Sequence, residues 1–267
     1  MRYPKGSLQL NESRDLPLLR QILHSEFVSH SQLFQFARLN HFERSRKSFD
    51  WRTRRLVEGE LATRQTVTGC TGGFVYSVGG GGAALLQGMG EYCLVGRDKF
   101  NGKETERSLF HALELNEIQL SALRAGLLVR WISSVEIRSQ NELTRFGFAK
   151  DYDAVVTVHG GAWERRFALE YERSPKPKRY YSNVAAALDR EAHVGHVLYL
   201  ACNYDLLQFV SGFFRSSRCQ VFFGLVKDWH AQLLDMPVLC NTTTRSIRFS
   251  ETLDQASESP EPVAIAR

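Results

Sequence analysis

Asp151-Tyr152-Asp153-Ala154-Val155-Val156-Thr157-Val158, then a glycine turn, then Arg165-Arg166-Phe167-Ala168-Leu169-Glu170-Tyr171-Glu172-Arg173-Ser174-Pro175-Lys176: the reading of the fold turns on this stretch. It has the pattern of two strands of a hairpin, in which successive side chains alternate between faces. Asp151 and Asp153 then share one face of the first strand, and Glu170 and Glu172 share one face of the second. Val156, Val158, Phe167 and Leu169 fall on the opposite, core-facing side. Acidic residues are poor strand formers, so two at alternate positions of an aromatic-rich strand ask for a reason. Carboxylates from adjacent strands suit a hard divalent cation such as Mg²⁺ or Mn²⁺. Such an ion activates water and stabilises charge on a phosphodiester. The competing reading is a polar sheet edge, with the acids paired to Arg165, Arg166 or Arg173.

Outward from this hairpin, the pattern alternates. A long helix is expected at about 105–125, carrying His111 and Glu114 as neighbours three apart, and a strand at 128–137. Beyond the hairpin come a helix at 178–191, a buried strand at 196–201, a helix at 204–215 that Asn203 caps, and a strand at 220–226. The order predicts a mixed sheet flanked by helices over residues 105–249. The remaining residues, 250–267, rich in Ser, Glu and Pro, read as a disordered tail.

Toward the N-terminus, three helices precede two short strands. The first spans 15–24, with Asp15 as its cap. The second follows Ser29 as N-cap. The third runs from near Ser48 to Leu61, and the strands cover 63–68 and 73–78. Three helices followed by a hairpin is the winged-helix plan, here over residues 12–88 with a glycine-rich linker at 89–104. On that plan the third helix enters the major groove and the hairpin forms the wing. Arg52 and Arg55 are the expected principal contacts, within a basic segment that includes Arg46, Lys47, Arg54 and Arg64. A local basic patch suits a polyanion, double-stranded DNA above all; the rival is a solvated helical face on a protein-contact module. The run Gly79-Gly80-Gly81-Gly82 lacks the Gly-Lys-Ser/Thr ending of a nucleotide loop and reads as a flexible turn.

Composition narrows the classes. The chain has 267 residues and a formal net charge of +5, enough length for one large or two small domains. Its five cysteines are scattered without a CxxC pair, which argues against structural zinc. Trp51, Trp131, Trp163 and Trp229 read as packing residues. No apolar run is long enough for a membrane span, and the start Met1-Arg2-Tyr3-Pro4-Lys5 leads into a polar stretch, so a cytoplasmic protein without membrane partners is expected.

The Asp on one strand and Glu-x-Glu on the next, in this element order, resemble the restriction-endonuclease-like (PD-(D/E)xK) fold. Taken with Arg54-Arg55-Leu56, Val75-Tyr76-Ser77-Val78, His111, Asp151-Tyr152-Asp153-Ala154-Val155 and Phe167 to Arg173, the whole chain resembles the replication-relaxation family of plasmids and other mobile elements, over roughly residues 12–226. The resemblance implies a DNA-associated role in replication, mobilisation or DNA relaxation, and metal-dependent phosphodiester cleavage in active members. By position, Asp153 and Glu170 match the metal-holding acids. Glu172 stands where the motif has lysine, and Lys176 or Lys178 is expected to reach back in its place. Three functions follow as expectations: a DNA-binding protein with a degenerate nuclease-like domain; a metal-dependent endonuclease or nickase using Asp153, Glu170, Glu172 and Lys176; and a recruitment module for a relaxase or replication protein. A homodimer on a two-fold DNA site is one arrangement the winged-helix plan offers.

Overall fold

The computed structural model describes residues 9–67, 73–91, 94, 103–145, 147–160, 163–243 and 245–255. The chain divides into two compact units: residues 1–126 with 132–147, and residues 127–131 with 148–267. The first unit begins α1 (Asp15–Ser25), β1 (Val28–Ser29), α2 (His30–Leu39), α3 (Arg46–Glu58), β2 (Ala62–Thr66) and β3 (Phe74–Val78). The three strands form an antiparallel sheet in the order β1-β3-β2, with Val28 opposite Tyr76 and Arg64 opposite Tyr76 on the other side.

Local chemistry accounts for these boundaries. Ser29 accepts from the Gln32 backbone while the Gln32 side chain returns to the Ser29 N–H, a capping box that starts α2 where the sequence placed it. Ser45 caps α3. Asp15 does not cap α1: the helix starts after Arg14 without a side-chain cap, and Asp15 sits buried inside its first turn. Apolar residues of α1, α2 and α3, among them Leu19, Ile22, Leu33, Phe36, Phe49 and Leu56, close one core with Val28, Ala62 and Tyr76.

The glycine run is not a flexible turn. It opens α4 (Gly80–Gly88), which packs so tightly on the turn between α3 and β2 that a Cβ at Gly79 would stand 2.4 Å from the Glu60 carbonyl oxygen, and one at Gly82 2.0 Å from that of Leu61. Only glycine tolerates such an approach.

The long helix α5 (Lys103–Arg124) belongs to the first unit, whereas the sequence reading grouped it with the sheet domain from residue 105. Its Leu120 joins the same core. Gln32 donates to the Leu113 carbonyl at 2.8 Å, and Asn116 donates to that of Phe27 at 2.8 Å. Those buried amides leave two carbonyls satisfied and fix the helix against α2 and β1. Most of the expected linker lies outside the described residues. β4 (Leu128–Ser133) ends sooner than expected, because Ser133 and Glu136 form a capping box that starts α6 (Ser134–Leu143).

In the second unit, β5 (Ala154–Gly160), β6 (Trp163–Glu172), α7 (Lys178–Leu188), β7 (His196–Ala201), α8 (Tyr204–Ser211), β8 (Gln220–Leu225), α9 (Val226–Gln232), β9 (Pro237–Cys240), β10 (Ser246–Arg248) and α10 (Phe249–Gln255) follow in order. The sheet is mixed, ordered β10-β9-β8-β7-β6-β5-β4, parallel across β6-β7-β8 and antiparallel at β5-β6 and β8-β9-β10. The fold is α+β with a seven-stranded mixed sheet flanked by helices, as the sequence pattern required. Asn203 caps α8, its Oδ1 accepting from the Leu206 N–H at 2.9 Å. The supposed tail is helical through α10; residues 256–267 lie outside the description.

Both faces of this sheet are covered. On one, Phe167 and Phe222 meet Phe249 of α10, and Phe167 also meets Trp229 of α9. On the other, Tyr199 packs on Phe214 and Phe223, and Tyr181 of α7 stacks on Phe213. The carboxylate side of β6 is therefore interior, not a solvated edge.

Candidate nucleic-acid interface and acidic cluster

In the first unit, α3 buries Phe49, Arg52, Thr53 and Leu56, positions spaced as one helical face. Arg44, Arg46, Lys47, Trp51 and Arg54 are exposed. Trp51, expected to pack, is 50% exposed. The Arg55 guanidinium lies over its ring at 4.4 Å and donates to the Gln9 carbonyl at 2.6 Å. On the hairpin, exposed Arg64 lies over the ring of Phe74 at 4.7 Å. Arg46 pairs with Asp50 at 3.1 Å and covers Phe34 at 4.8 Å.

His30 fixes α3 relative to the hairpin. Its ring hydrogen-bonds the Tyr76 hydroxyl of β3 at 2.8 Å and Asp50 of α3 at 3.0 Å. Burial, with the nearby Arg46 charge, holds the imidazole pKa below its ordinary value.

Arg52 does not face outward. It is 8% exposed, donates to Asp15 Oδ1 at 2.7 Å and to Glu43 Oε2 at 2.9 Å, and so ties α3 to α1. A guanidinium held by two buried carboxylates is unavailable to a phosphate, which removes it from the interface. Its place in the stripe Phe49, Arg52, Thr53, Leu56 was the sequence signal for this burial. Of the expected contacts, Arg46, Lys47, Arg54 and Arg64 are exposed and Arg55 is half-buried against Trp51.

In the second unit, Asp153, Glu170 and Glu172 fall on one sheet face, as the alternation implied, and Lys176 reaches Glu172 from the loop before α7. Asp153 precedes β5, and its Oδ2 accepts from the Tyr171 N–H at 2.7 Å. Glu170 and Glu172 are 3% and 2% exposed. Each carries an ammonium partner: Lys150 pairs with Glu170 Oε1, and Lys176 donates to Glu172 Oε1 at 2.5 Å. Glu172 also accepts from the Tyr181 hydroxyl at 3.1 Å, and Lys176 lies over the Tyr180 ring at 4.4 Å. Lys150, next to Asp151 in sequence, is a partner that no local spacing announces, since it lies 20 residues from Glu170.

Burial pushes the Glu170 pKa up, the Asp153 charge adds to this, and Lys150 opposes it. Burial pulls the Lys176 ammonium the other way, but its hydrogen bond to Glu172 and that carboxylate's charge outweigh it and hold the pKa above the ordinary value. Tyr199, opposite Glu170 in register, is buried and its hydroxyl has no hydrogen-bond partner among the described residues.

Both buried glutamates already carry lysine counter-charges. Among the described residues no three His, Cys, Asp or Glu side chains are grouped to hold a metal. No described helix is long and apolar enough to cross a membrane. Comparison with family models, curated proteins and solved structures finds no match.

Proposed function

We propose that this is a DNA-binding protein whose first unit docks on duplex DNA through α3 and the β2-β3 hairpin. The observation that carries the reading is the outward side of α3. Lys47, Trp51 and Arg54 fall at helical spacing on that side, with Arg64 exposed on the hairpin. The element order and the β1-β3-β2 sheet support a winged-helix architecture for this unit, in which such a helix lies in the major groove. The resemblance to the replication-relaxation family supports a role in replication, mobilisation or relaxation of plasmid or other mobile DNA. On this reading the second unit is a nuclease-like domain without cleavage activity, its acids neutralised by Lys150 and Lys176.

The test is binding of a fluorescent 30-bp duplex across a salt series. Log affinity falls linearly with log salt. Lys47→Ala with Arg54→Ala lowers the slope by about 2 if each contacts one phosphate. No binding at low salt rejects the reading and favours the recruitment module instead. The rival of a metal-dependent endonuclease or nickase is favoured by one observation, the approach of Asp153 to the Glu170 strand. Nicking of supercoiled plasmid with Mg²⁺ or Mn²⁺, abolished by Asp153→Ala, would establish it in place of the inactive domain.

A further inference from the structure

The exposed indole of Trp51 calls for a ligand more specific than phosphate. Trp51 stands in the middle of the outward side of α3, one turn from Lys47 and three residues from Arg54. The opposite side of the helix is anchored by buried Phe49, Thr53 and Leu56 and by the Arg52 ion pairs. Arg55 covers the ring and is itself held by the Gln9 carbonyl, so the indole is braced in its outward position. The cations around it contact phosphates, which fix register and carry no sequence information. An apolar ring within that cationic frame has one natural counterpart on the base edges of the major groove. This is the C5-methyl group of thymine.

We propose that Trp51 reads thymine methyl groups in the major groove, so that the protein prefers thymine-bearing duplexes. This rests on the DNA-binding reading above and adds its specificity. Lys47, Arg54 and Arg64 supply the non-specific attraction, and Trp51 supplies discrimination. The indole N–H, a donor only, is compatible with the O4 acceptor beside the methyl.

The experiment compares two probes: a random-sequence 20-bp duplex pool amplified with dTTP, and the same pool amplified with dUTP, which lacks only the methyl groups. Anisotropy titrations at one fixed salt concentration are run on the wild type, Trp51→Ala and Lys47→Ala. The wild type binds the thymine pool roughly 3- to 10-fold tighter, a modest share of the discrimination a good base contact gives. Trp51→Ala binds both pools equally, with an unchanged thermal unfolding midpoint because the side chain is exposed. Lys47→Ala weakens both pools together and keeps the ratio. Equal affinity of the wild type for both pools, with salt-sensitive binding retained, overturns the methyl reading and leaves DNA binding intact. A ratio that persists in Trp51→Ala also overturns it. Absence of binding to either pool overturns the DNA-binding reading itself.

Discussion

Arg52 of α3 donates to Asp15 of α1 across 2.7 Å, in a site where both side chains are nearly closed to solvent. Glu43 accepts from the same guanidinium at 2.9 Å, so one cation is shared by two buried carboxylates. A residue expected to touch DNA instead ties α3 to α1.

Removing this cation leaves two buried carboxylates uncompensated. Arg52→Ala is expected to lower the stability of the protein by about 3–5 kcal/mol, the usual cost of breaking a buried ion pair from one side. Arg54→Ala, on the exposed side of the same helix, stays within about 0.5 kcal/mol of wild type. Urea unfolding of both variants measures the contrast; equal effects would contradict the assigned burial.

Glu43 adds a pH dependence of definite sign. Burial alone would raise its pKa. Hydrogen bonds from the Ser48 hydroxyl, the Arg44 and Ser45 N–H groups and Arg52 outweigh this and hold the carboxyl down to about 2, against an ordinary 4.5. The folded value lies below the unfolded one. The ionised group therefore stabilises the fold above pH 4.5, and that contribution is lost as pH falls toward 2. In urea titrations between about pH 6 and pH 3, a span that crosses the unfolded value and stops short of the folded one, the gap between wild type and Glu43→Gln narrows with acid. A gap independent of pH would refute the assignment.

The packing of α4 on the turn between α3 and β2 separates two nearby glycines. Gly82→Ala drives a methyl into the Leu61 carbonyl and is expected to cost about 1–3 kcal/mol, as overpacking does. Gly80→Ala meets nothing within 4 Å and is expected to stabilise by about 0.4–1 kcal/mol through the unfolded chain. Thermal unfolding of the two variants should move the midpoint in opposite directions.

Lys150 and Glu170 form the least anticipated pair of the second unit. With the folded pKa of Glu170 raised by burial, the neutral acid is favoured in the fold, and stability declines as pH rises from the ordinary carboxylate range toward that raised value. Lys150 limits the rise. Lys150→Met should therefore move the carboxyl titration of Glu170, followed by carbon NMR, to still higher pH. An unmoved titration would show that Lys150 is not its counter-charge.

Much of the secondary structure was legible because its signals are short-range. Ser29 and Asn203 announced the helices they cap, and period-two alternation placed Asp153, Glu170 and Glu172 on one sheet face. Where local signals competed, the reading slipped. The apolar run after residue 128 masked the Ser133-Glu136 capping box, so the expected strand ran on to 137, into the first turn of α6. The strands β9 and β10, four and three residues long, carry too few alternations to register.

What the sequence determined by itself was the set of elements and which side chains share a face, since both follow from backbone periodicity within a few residues. Tertiary structure alone decided which faces are closed to water and which charges meet there. Arg52 finds Asp15 from 37 residues away, and Lys150 finds Glu170 from 20. Such pairings exist only once distant segments have packed. Desolvation then makes every buried charge require a partner, and this made Arg52 a buried tie and set Glu170 and Glu172 each beside a lysine.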